Sequence, residues 1–356
     1  SALQEACRLL RRGLDAVEAL AEGQQRSELR LELMSLLGPA LIGLSGPGSI
    51  DAQSLYAEAV AVARSLPPRA GSFPIFWGWW RLSHVDDFHE SRRRAEWLFE
   101  EARSRNEPAL LLQAHHCNWA SLFHRGDLAG CDRHAADGLT LYRMDEHGEH
   151  ASLYGNHDAK VCGHAHRALV LWQQGFAYAA GREEEIAIAW ARHLGHAGTL
   201  LHAYEFATSH CVYRRNPYQV RAATERMAGL AEEYGFSEYR ARCRVFRGWA
   251  MAMTGEAKEG AALAAEGLAM ERETNTADDL ALFHCLVAEA QAKAGEAEGA
   301  LEELAAARDR FELIGLRYWL PEVWRTIGDL TIRVDPTAWT ETAAAYDEAE
   351  RIAGEQ

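Results

Sequence analysis

The sequence predicts an all-α fold: a right-handed α-solenoid of tetratricopeptide-like helix-turn-helix repeats, running as a single array through residues 1–356. Three observations predict it. Apolar residues recur at three- and four-residue steps, as in Leu9, Leu10, Leu14, Val17 and Leu20, the pattern of amphipathic helices. Breaks of one kind punctuate the chain at Gly126-Asp-Leu-Ala, Gly175-Phe-Ala-Tyr, Asn216-Pro-Tyr-Gln, Gly255-Glu-Ala-Lys and Gly295-Glu-Ala-Glu. From Gly175 onward these breaks stand 41, 39 and 40 residues apart, a period near 40 with two helices per unit, somewhat longer than the tetratricopeptide period of about 34. No run with a period of two competes.

The elements follow in order. A first helix is expected from Ala2 to about Gly23 and a second over roughly 25–43. Gly46-Pro-Gly48 ends the second, Ser49 or Asp51 can cap a third at roughly 52–65, and Pro67-Pro68 closes this N-terminal block, residues 1–70. Residues 71–143 hold aromatic-rich repeats, opening with Phe73-Pro-Ile-Phe-Trp-Gly-Trp-Trp80. The interval from Gly126 to Gly175 is 49 residues, so an insertion of about nine residues falls within Met144–Asn156, giving an inserted loop at 144–157. Regular repeats fill 158–356. Insertions in solenoids gather on one face, often the face that binds.

Composition excludes several function classes. A formal net charge of -15 argues against nucleic acid and against an anionic membrane surface, both of which need clustered Lys and Arg. Arg92-Arg-Arg94 is followed by Glu96, Glu100 and Glu101, which makes it a self-paired helix face. Apolar runs such as Ser72 to Trp80 fall far short of the roughly 20 residues that span a bilayer. The first 25 residues lack the apolar core of a signal peptide, so a cytoplasmic setting is expected. Seven cysteines, odd in number and without a C-x-x-C, fit small buried hydrophobes better than a disulfide framework. From the start at Ser1 without Met and the stop just after a repeat-like helix, a piece of a longer protein, or a tag scar in front, is expected.

Histidine is concentrated: 15 of 16 lie between His84 and His210. Tyr154–His166 carries three of them with Asp158 and Cys162. In a helix from Asp158, residues Asp158, Cys162 and His166 fall at i, i+4 and i+8 on one face. With His157 and His116 of the preceding repeat they form a candidate divalent-metal set: His116, His157, Asp158, Cys162 and His166. Read architecturally, Asp158 caps a helix, His157 bonds a loop carbonyl and Cys162 packs between helices; both readings stand. His115-His-Cys117 offers no nucleophile pair along one helix, because adjacent helical residues diverge by about 100°. Candidate partner-binding residues are Trp77, Trp80 and Trp119 as an apolar floor, His202 and Glu205 on a groove wall, and Arg240, Arg244 and Arg247 as a clamp for a carboxylate or acidic peptide.

Phe73–Trp80, Leu110-Leu-Leu-Gln-Ala-His-His116, Tyr154-Gly-Asn-His-Asp158 with Cys162, Arg192-His-Leu-Gly-His196, and Phe246-Arg-Gly-Trp-Ala250 with Gly255 and Glu259-Gly260 together resemble the C-terminal tetratricopeptide region of bacterial adenylate/guanylate cyclase-like predicted ATPases. The resemblance covers nearly the whole chain. Gly163-His164-Ala165-His166 departs from it, where the family carries mostly apolar or small residues. The resemblance implies a sensor or scaffold tail behind cyclase and NTPase modules. The chain itself has no G-x-x-x-x-G-K-[ST] phosphate loop and no recognisable cyclase aspartate pair.

The expected function is therefore a non-catalytic helical-repeat scaffold or sensor, needing no cofactor, that binds a protein or peptide, or its own upstream modules, and regulates them. The alternative is a metal- or small-ligand-binding sensor, conceivably an enzyme, built on the cluster around residues 157–166.

Overall fold

Helix hairpins form here because single residues reverse the chain. Gly126, Gly175, Gly255 and Gly295 have φ of 78°, 86°, 111° and 96°, a region glycine enters without a Cβ penalty. At the third break Arg215, one residue before the Asn216 of the sequence pattern, takes the left-handed position at φ 55°, while Asn216 caps the following helix by accepting from the Gln219 amide at 3.1 Å. Gly175, Arg215, Gly255 and Gly295 are thus 40 residues apart at every step.

The computed structural model describes residues 2–67, 70–274 and 276–356. Pro68, half of the expected Pro67-Pro68 boundary, lies outside them. The chain opens with α1 (Ala2–Glu18), α2 (Gln24–Ser45), α3 (Ile50–Ser65), α4 (Phe73–Arg81) and α5 (Phe88–Arg105). Ser49 caps α3, its side chain accepting from the Ala52 amide. Hairpin α6 (Pro108–His124) and α7 (Leu128–Leu141) follows, and then the insertion. That insertion is not a plain loop: it holds α8 (Met144–His147) and a 3-10 turn at His150–Ser152, and the His147 side chain is wholly buried, accepting from the Arg143 amide at 2.9 Å. Five hairpins complete the solenoid: α9 (Ala159–Gln173) with α10 (Ala177–Leu194), α11 (Ala197–Tyr213) with α12 (Pro217–Tyr234), α13 (Ser237–Met253) with α14 (Ala257–Thr274), α15 (Leu280–Ala294) with α16 (Ala297–Ile314), and α17 (Leu320–Val334) with α18 (Trp339–Glu355).

The first helices of successive hairpins stack on one another, α6 on α9 on α11 and α13 on α15 on α17. Their composition requires it. Every residue of α6 from Leu112 to His124 is buried, so the helix needs cover all round. The second helices bury one stripe only, as α10 does with Ala180, Ala187 and Ala191. Helices α13 and α14 meet backbone to backbone, because a Cβ on Gly248 would stand 2.5 Å from the Gly260 carbonyl oxygen. Gly248→Ala is expected to cost about 1–3 kcal/mol, read as a lower urea midpoint. An unchanged midpoint would refute the close approach.

Along the first helices, where a groove is expected, chain reversals turn inward. The Ala277 amide donates to the His84 carbonyl (3.0 Å), and the Arg317 and Tyr318 amides donate to that of His124 (2.7 and 3.1 Å). From the N-terminal side α2 packs on α13, and the Ser237 hydroxyl donates to the Leu44 carbonyl at 3.0 Å. The first helices and these reversals together enclose a central cavity. Among the described residues no helix is long and apolar enough to cross a membrane.

Candidate functional site

The cavity measures ≈ 110 Å³ and takes its wall from α2, α4, α6, α9, α11, α13, α15 and the inward reversals. Six histidines line it: His84, His116, His124, His157, His166 and His202. Burial lowers the proton affinity of all six, His84 and His157 to about 4 and His166 to about 3. At neutral pH they are uncharged imidazoles, each with one N–H and one bare nitrogen.

The sequence-predicted metal set divides. His116, on α6, and His157, just before α9, bring their Nε2 atoms to 3.1 Å. Cys162 Sγ lies within 4.8 Å of a ring nitrogen of each, and Cys162, His166 and His202 form a second set within the same limit. Gly155, at φ 72°, lets this loop lie against the Trp77 ring and offers its carbonyl to His157 Nδ1 at 2.9 Å. The Trp119 ring stacks on His116, and its Nε1–H points at Cys162 Sγ at 3.5 Å. Burial raises the Cys162 thiol well above its usual range. Asp158 leaves the set. As the cap of α9 it must point back over the helix start, where Oδ1 accepts from the Val161 amide (3.0 Å) and Oδ2 from the Tyr142 hydroxyl (2.8 Å).

Two ionic networks face the histidines. Arg242 of α13, 4% exposed, bonds Glu205 and Glu238, donates to Glu271 at 3.2 Å and stands 3.3 Å from Asp279. One guanidinium cannot neutralise four carboxylates. Burial pushes Glu205 up to about 8 despite Arg242, and Glu271 and Asp279 upward as well. Asp278 is the reverse case: burial would raise it, but Arg81 at 2.6 Å and His84 at 2.7 Å outweigh burial and hold it well below the usual carboxylate range.

His84 sits in a relay running Trp80, Ser121, Ser91, His84, Asp278, with contacts of 2.8, 2.7, 2.9 and 2.7 Å. The last three residues have the order of a Ser-His-Asp triad. Ser91, however, is wholly buried, does not line the cavity and is engaged by Ser121, so the relay serves the core. Among the described residues, five cavity-lining atoms lack any hydrogen-bond partner: Trp77 Nε1, Arg81 NH1, His166 Nε2, His202 Nε2 and the Tyr213 hydroxyl.

Of the other residues singled out in the sequence, Trp77, Trp80, His202 and Glu205 line the cavity, whereas Trp119 lies behind the wall, fully buried, as a support for His116 and Cys162. Arg240, Arg244 and Arg247 are off it. Arg240 lies 3.7 Å from Glu232, Arg244 lies 3.2 Å from Glu266, and Arg247 is exposed. The arginine that faces inward is Arg242, which shares a helix face with Phe246 and Trp249 at i, i+4 and i+7; an arginine on an apolar stripe was the signal. Arg92–Arg94 pair with Glu96 and Glu90 on α5. His115 turns away from His116 toward His134, 3.1 Å from it, and Cys117 is buried.

No protein-family description matches the chain. An uncharacterized protein of Rhizobium meliloti (strain 1021) is 33% identical over 327 residues, covering 91% of this chain and 32% of that protein, so the chain spans about a third of its length. Among solved structures, a Rap protein complexed with competence and sporulation factor superposes with a TM-score of 0.68 at 13% identity, covering 99% of this chain and 96% of the other. The chain therefore shares the helical-repeat fold of that Rap protein end to end.

Proposed function

We propose that this chain is a non-catalytic helical-repeat sensor or scaffold. It captures a small ligand, or a terminus or side chain of a peptide or protein partner, in its central cavity, and thereby regulates neighbouring modules. The observation that carries this is the cavity wall, built by successive repeats and bearing buried polar atoms that have no partner within the protein. Size restricts the occupant, since an α-helix is about 10–12 Å across and has no room there. Charge restricts it further: Glu205, Glu238, Asp278 and Asp279 face only Arg81 and Arg242, which favours an ammonium or guanidinium group. The aromatic rings of Tyr213, Phe206 and Tyr239 suit the apolar stem of such a group.

Two likenesses support the reading. The Rap protein of the same fold was solved in complex with competence and sporulation factor. In the Rhizobium protein about two thirds of the polypeptide lies outside the matched region, which suits a tail that reports to other modules. The sequence resemblance names those modules as NTPase and cyclase units of a bacterial signalling protein.

A library of short peptides with free amino termini, screened by thermal shift and then calorimetry, tests this. Binders should be enriched in Arg, Lys or an accessible terminus, and Glu205→Gln should weaken them roughly tenfold. No binder at all, or binders indifferent to Glu205→Gln, would remove the proposal.

A further inference from the structure

We infer that His116 Nε2, His157 Nε2 and Cys162 Sγ form a binding site for a borderline or soft metal ion of the Zn²⁺ class on the cavity wall. This does not depend on the cavity's organic ligand.

The argument is one of lone pairs. His157 Nδ1 lies 2.9 Å from the Gly155 carbonyl oxygen, an acceptor only, so Nδ1 carries the hydrogen. His116 Nδ1 lies 3.2 Å from Gln113 Oε1, and the Gln113 amide nitrogen is turned to His150 Nδ1 at 3.3 Å, which leaves the oxygen facing His116. Both rings are therefore Nδ1–H tautomers, and both bare Nε2 atoms point at each other across 3.1 Å. Two lone pairs at that distance repel unless a cation lies between them. Two imidazole nitrogens bound tetrahedrally to Zn²⁺ at about 2.0–2.1 Å stand roughly 3.3 Å apart, so the pair is already at chelating separation.

The surroundings are those of a ligand set. Each histidine is fixed through its other nitrogen by an oxygen, the arrangement that orients metal-binding imidazoles. The third donor, Cys162 Sγ, lies within 4.8 Å of a ring nitrogen of each histidine. On binding, the thiol gives its proton to solvent and the thiolate bonds the metal. The Trp119 N–H aimed at Sγ then donates to the thiolate. His202, stacked on His157 with ring centroids 4.1 Å apart, adds a third imidazole whose buried Nε2 has no partner. Two nitrogens and a sulfur select Zn²⁺ or Cu⁺ over Mg²⁺ or Ca²⁺.

The test uses the untagged full chain, stripped with chelator and titrated with Zn²⁺ against a chromophoric competitor, and separately with Co²⁺ by absorption. The expected result is one equivalent per chain, with the ligand-field bands of tetrahedral Co²⁺ and a sulfur-to-cobalt charge-transfer band. His157→Gln and Cys162→Ser should each weaken binding roughly 100-fold, while His134→Gln and Glu205→Gln leave it unchanged. His157 is half-buried and stands in the turn before α9 rather than inside a helix, so its variant decides the matter should Cys162→Ser fail to fold. Binding weaker than about 10 μM, absence of the charge-transfer band, or stoichiometric binding that survives His157→Gln overturns the assignment; the facing imidazoles would then share a proton. Because the peptide screen responds to Glu205 and the metal titration does not, either can fail alone.

Discussion

Arg242→Met should lower the unfolding free energy by about 3–5 kcal/mol, because it removes the single cation from a cluster of buried carboxylates. Glu205 comes from α11, Glu238 from α13 itself, Glu271 from α14 and Asp279 from the reversal before α15, so the loss is felt on four segments at once. The penalty depends on pH with a definite sign. A carboxylate whose folded-state proton affinity is raised contributes stability below its unfolded pKa and loses it as pH climbs through the folded value. Burial pushes Glu205 up to about 8 even beside Arg242, and it raises Glu271 and Asp279; without Arg242 these three move higher. Urea unfolding at pH 5 and at pH 8 should therefore show the larger Arg242→Met penalty at pH 8. Equal penalties, or a larger one at pH 5, would contradict the burial of this cluster.

The second large effect is at Trp80. Its ring is 2% exposed, meets Trp77 and His84 edge to face at 5.1 and 4.7 Å, and gives its N–H to Ser121 at 2.8 Å. Trp80→Ala should cost about 3–5 kcal/mol, since tightly placed helices collapse poorly onto a hole of that size. Trp80→Phe retains most of the ring and forfeits the hydrogen bond. Ser121 still has Ser91, so no buried hydroxyl is stranded, and the cost should be nearer 1 kcal/mol. Similar losses for the two variants would mean that the hydrogen bond, and not the ring volume, dominates.

The fold was legible because its punctuation is chemical. Glycines that end helices and Asp158, which starts one, have few other reasons to recur at a fixed interval. The third break, which the sequence places at Asn216, turns one residue earlier, because Arg215 adopts a positive φ that residues of its kind seldom take. The histidine cluster was legible in part. Cys162 and His166 are four apart on one helix, and a period of 40 sets His202 level with Cys162 in the next repeat. Helix phase could not show which way the capping Asp158 turns. Nor could it show that 276–279 and 315–319 fold inward, since polar reversals read as surface loops. Asp278, Asp279 and Tyr318 reached the cavity by that route, and Arg81 met its partner 197 positions away. Partnerships of that range leave no local pattern.

Those inward reversals change how the molecule should come apart. An open repeat array unzips from its ends, each unit held only by its neighbours, and its stability is a sum of local terms. Here Arg81 is tied to Asp278, the His84 carbonyl to Ala277, and that of His124 to Arg317 and Tyr318, while α2 rests on α13. The array is stitched across its own bore. Fraying of one end removes contacts near the middle, so melting should be a single cooperative event, and trimming a terminal hairpin should weaken distant repeats as much as adjacent ones.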